Sequence, residues 1–178
     1  DARGRTQVET ILDEIQRYGD DAVRKLSEQF DGWSPESFRL SETEIETAIS
    51  KVAKRDLEDI RFAQEQVRNF VQKQKDALTD VEVETLPGVV LGHKNIPVQS
   101  VGWYVPTGKF PMVASAHMSV VTASVANVPR IIATTPPFKG KPNPAVITAI
   151  HFGGAHEIYV LGGMQGIGAM AIGTETIK

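Results

Sequence analysis

Residues 101–108 read Val-Gly-Trp-Tyr-Val-Pro-Thr-Gly, and residues 158–168 read Ile-Tyr-Val-Leu-Gly-Gly-Met-Gln-Gly-Ile-Gly. Each is a short apolar or aromatic run that Gly or Pro interrupts and that a small-residue, helix-like segment follows. A third unit of this kind, residues 130–135 followed by two prolines, lies between them. These strand-then-helix units predict an incomplete Rossmann-like parallel sheet with flanking helices, and a ligand crevice at the carboxyl ends of its strands.

The first half of the chain has a different composition. Residues 1–80 carry 31 charged side chains, whereas residues 101–178 carry seven, together with ten of the fifteen glycines. Apolar residues at helical intervals predict amphipathic helices before residue 78, which we interpret as a scaffold; a dimer-forming arm is the alternative. The pattern predicts these local features: capping boxes at Thr6–Glu9 and Ser41–Glu44, a break at Gly19, and strands over 81–86, 89–91 and 96–101.

Composition limits the classes of function. The net charge of −3 gives no reason to expect nucleic acid or an anionic membrane surface as a partner. No apolar run approaches the roughly 18 residues of a transmembrane helix, and the first residues lack the apolar core of a signal peptide. The chain has no cysteine, which excludes disulfides, thiolate zinc sites and cysteine nucleophiles, and which fits a cytoplasmic location.

Two polar side chains at predicted strand ends are candidate cofactor ligands. Gln165 opens a helix made otherwise of Gly, Ala, Ile and Met, so its amide either binds a nicotinamide or ribose group or bonds its own backbone. Tyr104 ends a strand before a Pro-Thr-Gly turn, where its ring either stacks on a flat ligand or packs in the core. The glycines at 162, 163, 166 and 168 resemble a dinucleotide loop only loosely, and tight packing of strand on helix explains them equally well.

Histidine is the other residue type that invites a chemical role. His117 lies among small residues of the helix predicted over 113–128, where it either faces a ligand or caps the helix. His151 and His156 have no second pair of ligands nearby in sequence, so we expect no zinc site within this chain. The sequence also supplies no general base with a recognisable partner.

At these residues the chain resembles the histidinol dehydrogenase family. The match runs from about residue 6 to residue 178 and is strongest at 101–108, 135–137, 161–165 and 171–177. The resemblance implies an NAD-dependent, zinc-containing homodimer that oxidises an alcohol through an aldehyde to a carboxylate in two hydride transfers. It further implies that Tyr104 and Gln165 contact NAD, because they match the family's NAD-contacting Tyr and Gln.

The sequence departs from the family pattern at three places. It has Pro-Thr-Gly at 106–108 where Pro-Gly-Gly is usual, which raises the question of the backbone angle at Thr107. It has Gly-Ile-Gly at 166–168 where Ala-Ile-Ala is usual. The segment 110–119 carries His117, whereas authentic histidinol dehydrogenases lack a His there, and it resembles the branch that oxidises 2,3-dihydroxypropane-1-sulfonate to sulfolactate. A histidine there would suit an anionic substrate, so we predict that His117 contacts substrate.

The resemblance implies that this chain is the N-terminal part of a longer enzyme. We predict a division into residues 1–107, the helical and strand part of a first incomplete Rossmann-like domain, and residues 108–178, part of a second, NAD-binding one. The zinc ligands and catalytic residues of that longer enzyme would lie beyond residue 178. For the substrate, the alternative to 2,3-dihydroxypropane-1-sulfonate is L-histidinol, as in an authentic histidinol dehydrogenase. For the chain as a whole, the alternative is a truncated, non-catalytic nucleotide-binding or structural module.

Overall fold

The computed structural model describes residues 2–107 and 110–178, which form six helices and five strands. In chain order the elements are α1 (Ala2–Asp31), α2 (Glu42–Ser50), α3 (Lys54–Asp76), β1 (Val81–Leu86), β2 (Val89–His93), β3 (Ser100–Tyr104), α4 (Val113–Val125), β4 (Arg130–Thr135), α5 (Pro144–Gly153), β5 (Glu157–Val160) and α6 (Gly163–Ile172).

The second half of the chain forms the parallel sheet that the sequence predicts. The strand order is β3–β4–β5, with Val101 opposite Ile131 and Ala133 opposite Ile158. Parallel strands need crossover connections, and here α4 and α5 supply them. The fold class predicted from the sequence, α/β with an incomplete Rossmann-like sheet and flanking helices, is therefore confirmed.

Helices cover both faces of this sheet. Alternate strand residues separate into two cores, as the two-residue period of a strand requires. On one face, Ile131 and Ile158 pack with buried residues of α4 and α5. On the other face, Ile132 and Tyr159 pack with buried residues of α1 and α6. Burial on both faces explains why β4 and β5 read as nearly continuous apolar runs rather than as alternating ones.

The chain changes face after β5. The connections β3–α4–β4 and β4–α5–β5 lie on one side of the sheet, whereas α6 packs beneath β3 and β4 on the other side, against α1. A Cβ at Gly102 of β3 would lie 2.6 Å from Sδ of Met170 in α6, so the two elements are in close contact. In open α/β sheets the crevice at such a change of direction is where ligands bind. Here the change of face follows the carboxyl end of β5.

The helices of the first half confirm one predicted capping box and correct the other. Ser41 and Glu44 form a complete capping box at the start of α2. The box predicted at Thr6–Glu9 is wrong, because α1 begins upstream at Ala2 and Thr6 lies within it. The break predicted at Gly19 is confirmed: Gly19 has φ 54° and ψ −132° inside α1, a conformation that only glycine adopts readily.

The antiparallel hairpin formed by β1 and β2 stands apart from the rest of the fold. All of its residues are exposed, including Val83 and Leu91, which share one face. The third strand predicted in this region, 96–101, is wrong in its bounds. The strand β3 instead begins at Ser100, after Pro97, which has no N–H to donate to a sheet.

The predicted division at residues 107 and 108 stays a prediction. Strand β3, which that division assigns to the first part, pairs with β4 of the second part, and α1 packs against α6. Residue 108 itself lies outside the described residues. Among residues 2–107 and 110–178, no helix combines the length and the apolar character needed to cross a bilayer.

Candidate functional site

The candidate site is built on the first turn of α6, at the carboxyl end of β5. Gly162 precedes the helix, and among the described residues no side chain caps its N–H groups. Gly163 has φ 58°, and a Cβ at Gly162 would lie 2.7 Å from Cβ of Pro136, so both positions require glycine. Free N–H groups at a helix N-terminus favour an anionic or hydrogen-bond-accepting group.

Gln165 lies in this first turn and is 1% exposed. Its Nε2 donates a hydrogen bond of 2.7 Å to Oδ2 of Asp31, the last residue of α1. The sequence left open a hydrogen bond between the Gln165 side chain and its own backbone. The amide nitrogen donates to Asp31 instead. The residue that orients Gln165 comes from 134 positions earlier in the chain.

Two buried polar atoms at this turn have no partner among the described residues: Oε1 of Gln165 and Oγ1 of Thr134. Thr134 is fully buried in β4, and a Cβ at Gly166 of α6 would lie 3.4 Å from its hydroxyl. Buried polar groups without a partner are uncommon, and each costs about 1–3 kcal/mol. Two more such atoms, Nε1 of Trp103 and Oγ1 of Thr148, lie elsewhere, but these two come together at one helix start, which makes the turn a candidate ligand site.

Tyr104 is the last residue of β3 and is half-buried. It lies two residues after Gly102, which faces α6, so Tyr104 points to the same face of the sheet. Its backbone partner in β4 is Thr134. Within the part of the chain that the structure describes, the Tyr104 hydroxyl has no hydrogen-bond partner. Tyr104 and the helix that carries Gln165 thus lie on one side of the sheet, and Thr134 lies in β4, the strand between β3 and β5.

The turn after Tyr104 accommodates Thr107 with an ordinary backbone angle. Thr107 is not among the described non-glycine residues with positive φ, which are Asn127 and Lys139. It is fully buried, and its hydroxyl lies 2.5 Å from that of Thr135, at the end of β4. A threonine is therefore accommodated here without left-handed backbone. Gly108, the last residue of the quoted motif, lies outside the described residues.

The structure places His117 in an interface between helices. The imidazole is 7% exposed, and its Nδ1 lies 3.1 Å from Nε2 of Gln64 in α3. The same amide nitrogen donates 2.7 Å to the carbonyl oxygen of Ala149 in α5. Burial lowers the pKa of His117 below its ordinary value of 6.5, so the ring is neutral at neutral pH. Contact of His117 with substrate stays a prediction.

The surface hollows of the described residues lie elsewhere. One of about 270 Å³ is lined by residues of α2 and of the loop before α5, Lys51 and Lys141 among them. Another is lined by Gly19 and Glu175. Neither Tyr104 nor Gln165 lines these two hollows. Across residues 2–107 and 110–178, no group of three or more His, Asp or Glu side chains is placed to hold a metal ion.

Sequence reasoning missed Asp31 and Thr134 as site residues. The sequence singles out neither residue, and Thr134 enters only as part of the predicted strand unit 130–135. The available signal was positional, because Thr134 ends the middle strand of a parallel sheet and such ends gather at one edge. For Asp31 no local signal existed, since its partner comes from the far end of the chain.

Comparison with known proteins agrees with this architecture. The family model described as histidinol dehydrogenase matches residues 1–178. A histidinol dehydrogenase homolog of Shouchella clausii is 54% identical over 180 residues, covering 100% of this chain and 42% of that protein. A sulfopropanediol 3-dehydrogenase of Ruegeria pomeroyi is 44% identical over 167 residues, covering 93% and 38%.

A solved structure extends the likeness to three dimensions. The crystal structure of histidinol dehydrogenase from Elizabethkingia anophelis superimposes with a TM-score of 0.90 at 30% identity, covering 98% of this chain and 40% of that one. The chain thus spans about two-fifths of the length of these relatives. The family model covers every residue of the sequence, so this chain belongs to the histidinol dehydrogenase family, of whose longer members it corresponds to the N-terminal part.

Proposed function

We propose that this chain is the N-terminal part of an NAD-dependent alcohol dehydrogenase that oxidises 2,3-dihydroxypropane-1-sulfonate through an aldehyde to sulfolactate. The full-length enzyme is proposed to be a zinc-containing homodimer in the cytoplasm. The dehydrogenase class follows from the family, whose named members are dehydrogenases. We infer the cofactor from the residues of this chain and the substrate from a named relative.

The observation that supports NAD binding is the pair of unpartnered buried atoms at the start of α6. Oε1 of Gln165 and Oγ1 of Thr134 lie beside an uncapped helix N-terminus within the described residues, on the sheet face that Tyr104 shares. The position is the carboxyl edge of a parallel sheet where the chain changes face, which is the usual place for a dinucleotide. These residues fit such a group because each polar atom still lacks a partner.

The assignment of roles follows from the chemistry of each group. Oε1 of Gln165 can accept an N–H or O–H of the nicotinamide half, and Thr134 can donate or accept. The ring of Tyr104 can stack on the flat nicotinamide or donate its hydroxyl. When bound, NAD supplies a hydride acceptor, and the four-electron oxidation of an alcohol to a carboxylate consumes two NAD and one water.

The remaining chemistry is proposed to come from outside residues 1–178. The described residues offer no cluster that fits zinc, so no step through the metal is assigned to this chain. Asp31 is the carboxylate that lies at the site, and it is engaged with Gln165. The general base and the zinc ligands would therefore belong to the part of the enzyme for which the relatives have additional length.

The choice of substrate rests on the relative named sulfopropanediol 3-dehydrogenase, at 44% identity. An authentic histidinol dehydrogenase, oxidising L-histidinol to L-histidine, is the second candidate, and the likeness to the Elizabethkingia anophelis enzyme favours it. A truncated module without catalytic activity is the third. The sequence identity of 54% to a protein called a histidinol dehydrogenase homolog does not distinguish these three candidates.

Turnover by the full-length protein with NAD separates these candidates. We expect dihydroxypropanesulfonate to be oxidised with a kcat/KM at least tenfold above that for histidinol. Oxidation of histidinol alone would contradict the substrate proposal. If the gene encodes nothing beyond Lys178, the catalytic proposal for this chain is wrong.

Substitution of Gln165 by Ala in the full-length enzyme tests the cofactor site. We expect kcat/KM for NAD to fall about tenfold, the effect of losing one hydrogen bond to a buried group. The control is Gln66→Ala, an exposed glutamine on α3. Unchanged NAD kinetics in the Gln165→Ala variant would remove this residue from the site.

A further inference from the structure

We propose that Asp31 is a positioning residue for the cofactor site: its carboxylate fixes the Gln165 amide so that Oε1 faces the carboxamide N–H group of the nicotinamide. This inference rests on the proposed function, in which Gln165 contacts NAD. It concerns the last residue of the first helix, which lies 134 positions before Gln165 in the sequence.

The contact between Asp31 and Gln165 determines which way the amide points. A carboxylate only accepts hydrogen bonds, so the amide nitrogen must face Oδ2, at 2.7 Å. Oε1 consequently points away from Asp31, toward Gly163, where a Cβ would come within 2.8 Å of it. Without a fixed acceptor the amide group could rotate by half a turn, so that its oxygen and its nitrogen would swap positions. The carboxylate removes that freedom.

Asp31 is itself held in place by the chain around it. The indole Nε1 of Trp33 donates 3.0 Å to the carbonyl oxygen of Val160, at the end of β5. The hydroxyl of Ser27 donates 2.7 Å to the carbonyl oxygen of Trp33. A Cβ at Gly162 would lie 2.8 Å from Oδ2 of Asp31, so the carboxylate lies directly against the turn that opens α6. These bonds fix the segment that follows Asp31 against the end of β5, and the carboxylate itself contacts the start of α6.

Two features of the location act against an ionised acid, and one acts in its favour. Asp31 is the last residue of α1, and a negative charge at a helix C-terminus interacts unfavourably with the helix dipole. Burial also raises the pKa of the Asp31 carboxyl, and the bond from Gln165 offsets this only in part. The N-terminus of α6, against which the carboxylate lies, favours a negative charge. At that position the carboxylate also provides the acceptor that Nε2 of Gln165 needs.

The orientation of Gln165 makes the site selective for hydrogen-bond donors. Oε1 is buried and has no partner among the described residues, so a ligand group that reaches it must carry an N–H or O–H. A carbonyl or phosphate oxygen would meet a second acceptor there. We assign the donor to the carboxamide because Gln165 shares a sheet face with Tyr104, whose ring can stack on the nicotinamide.

The test compares NAD with 3-acetylpyridine adenine dinucleotide, in which a methyl group replaces the carboxamide NH₂. Dissociation constants for both are measured by calorimetry on the full-length enzyme and on its Asp31→Ala variant. We expect the wild-type enzyme to bind NAD about tenfold more tightly than the analogue. In the Asp31→Ala variant the affinity for NAD should fall and this ratio should approach one. A purely structural loss would weaken both dinucleotides equally and leave the ratio unchanged.

The control variant is Glu28→Ala. Glu28 lies in the same last turn of α1, and its side chain is exposed. We expect the wild-type ratio in this variant. A ratio in Asp31→Ala equal to that in Glu28→Ala overturns the positioning role. Equal binding of the two dinucleotides by the wild-type enzyme overturns the assignment to the carboxamide, and this measurement needs no variant to fold.

The Gln165→Ala variant distinguishes failure of this inference from failure of the proposed function. If Gln165→Ala leaves NAD binding unchanged, the cofactor site itself is wrong. If Gln165→Ala weakens NAD binding while Asp31→Ala behaves as Glu28→Ala does, the site stands and only the role of Asp31 is overturned.

Discussion

The hydroxyl of Thr107 lies 2.5 Å from the hydroxyl of Thr135. Both side chains are fully buried, and they link the turn after β3 to the carboxyl end of β4. The bond closes the edge of the sheet between the strand that carries Tyr104 and the strand that carries Thr134. Pairing of the two hydroxyls also explains how a threonine replaces the glycine that is usual in the family at this turn.

Substitution of Thr107 by Val should lower the free energy of unfolding by about 1–3 kcal/mol, because the hydroxyl of Thr135 would be buried without its partner. Thermal or denaturant unfolding of the wild type and the variant measures this. The double variant Thr107→Val, Thr135→Val should regain most of the loss, since two apolar side chains of the same shape leave no polar atom unpaired. A double variant as unstable as the sum of the two single ones would contradict the pairing.

Stability should depend on pH through His117. Burial lowers its pKa in the folded state, so the unfolded chain binds more protons in this range and the free energy of unfolding rises with pH. The contribution is fully present above the ordinary pKa of 6.5 and is lost as pH falls below it. We expect denaturant unfolding between pH 7.5 and 5 to show this slope, and the His117→Gln variant to have a smaller one. The exposed His151, changed to Gln, is the control and should leave the slope unaltered.

Glu157 should stabilise the fold in its ionised form, whereas His117 does so in its neutral form. Hydrogen bonds of 2.7 Å from Nε of Arg130 and from the hydroxyl of Tyr159 lower its pKa, Arg130 being the larger cause. A carboxyl with a lowered folded-state pKa stabilises above its ordinary value of 4.5 and loses that contribution as pH falls through the folded-state pKa. Glu157→Gln should therefore cost about 1–3 kcal/mol at pH 7, and the difference from wild type should shrink in acid.

The matched control for Glu157 is Glu58→Gln. Glu58 has a side chain that is 62% exposed and lies 3.9 Å from Nζ of Lys54. An exposed pair of this kind contributes about 0–1 kcal/mol. Equal destabilisation by the two substitutions would show that burial of Glu157 adds nothing to its interactions.

The architecture of the second half was predictable because its signals are local. Strands β4 and β5 and helices α5 and α6 follow the apolar runs, prolines and glycines of the sequence within one or two residues. Ser41 and Glu44 formed their capping box because four consecutive residues contain the whole motif. The prediction at Thr6 failed for a related reason: a capping box requires a helix that starts there, and α1 begins earlier, at Ala2.

The candidate site was predictable only in part, since its decisive contact is long-range. Gln165 was singled out as a polar residue at a helix start, which is a local observation. The carboxylate that orients it comes from Asp31, and nothing in the pattern around residue 31 indicates a partner 134 residues away. The same holds for His117, whose partner Gln64 lies on a helix that periodicity alone could not place.

The β1–β2 hairpin has a consequence for handling the 178-residue polypeptide. Two-stranded hairpins are marginally stable in water, and both edges of this one offer backbone N–H and C=O groups to any strand that approaches. Val83 and Leu91 add an apolar surface on one of its faces. Prepared on its own at high concentration, the polypeptide should therefore assemble through intermolecular strand addition at this hairpin. The Val83→Lys or Leu91→Lys variant should remain monodisperse.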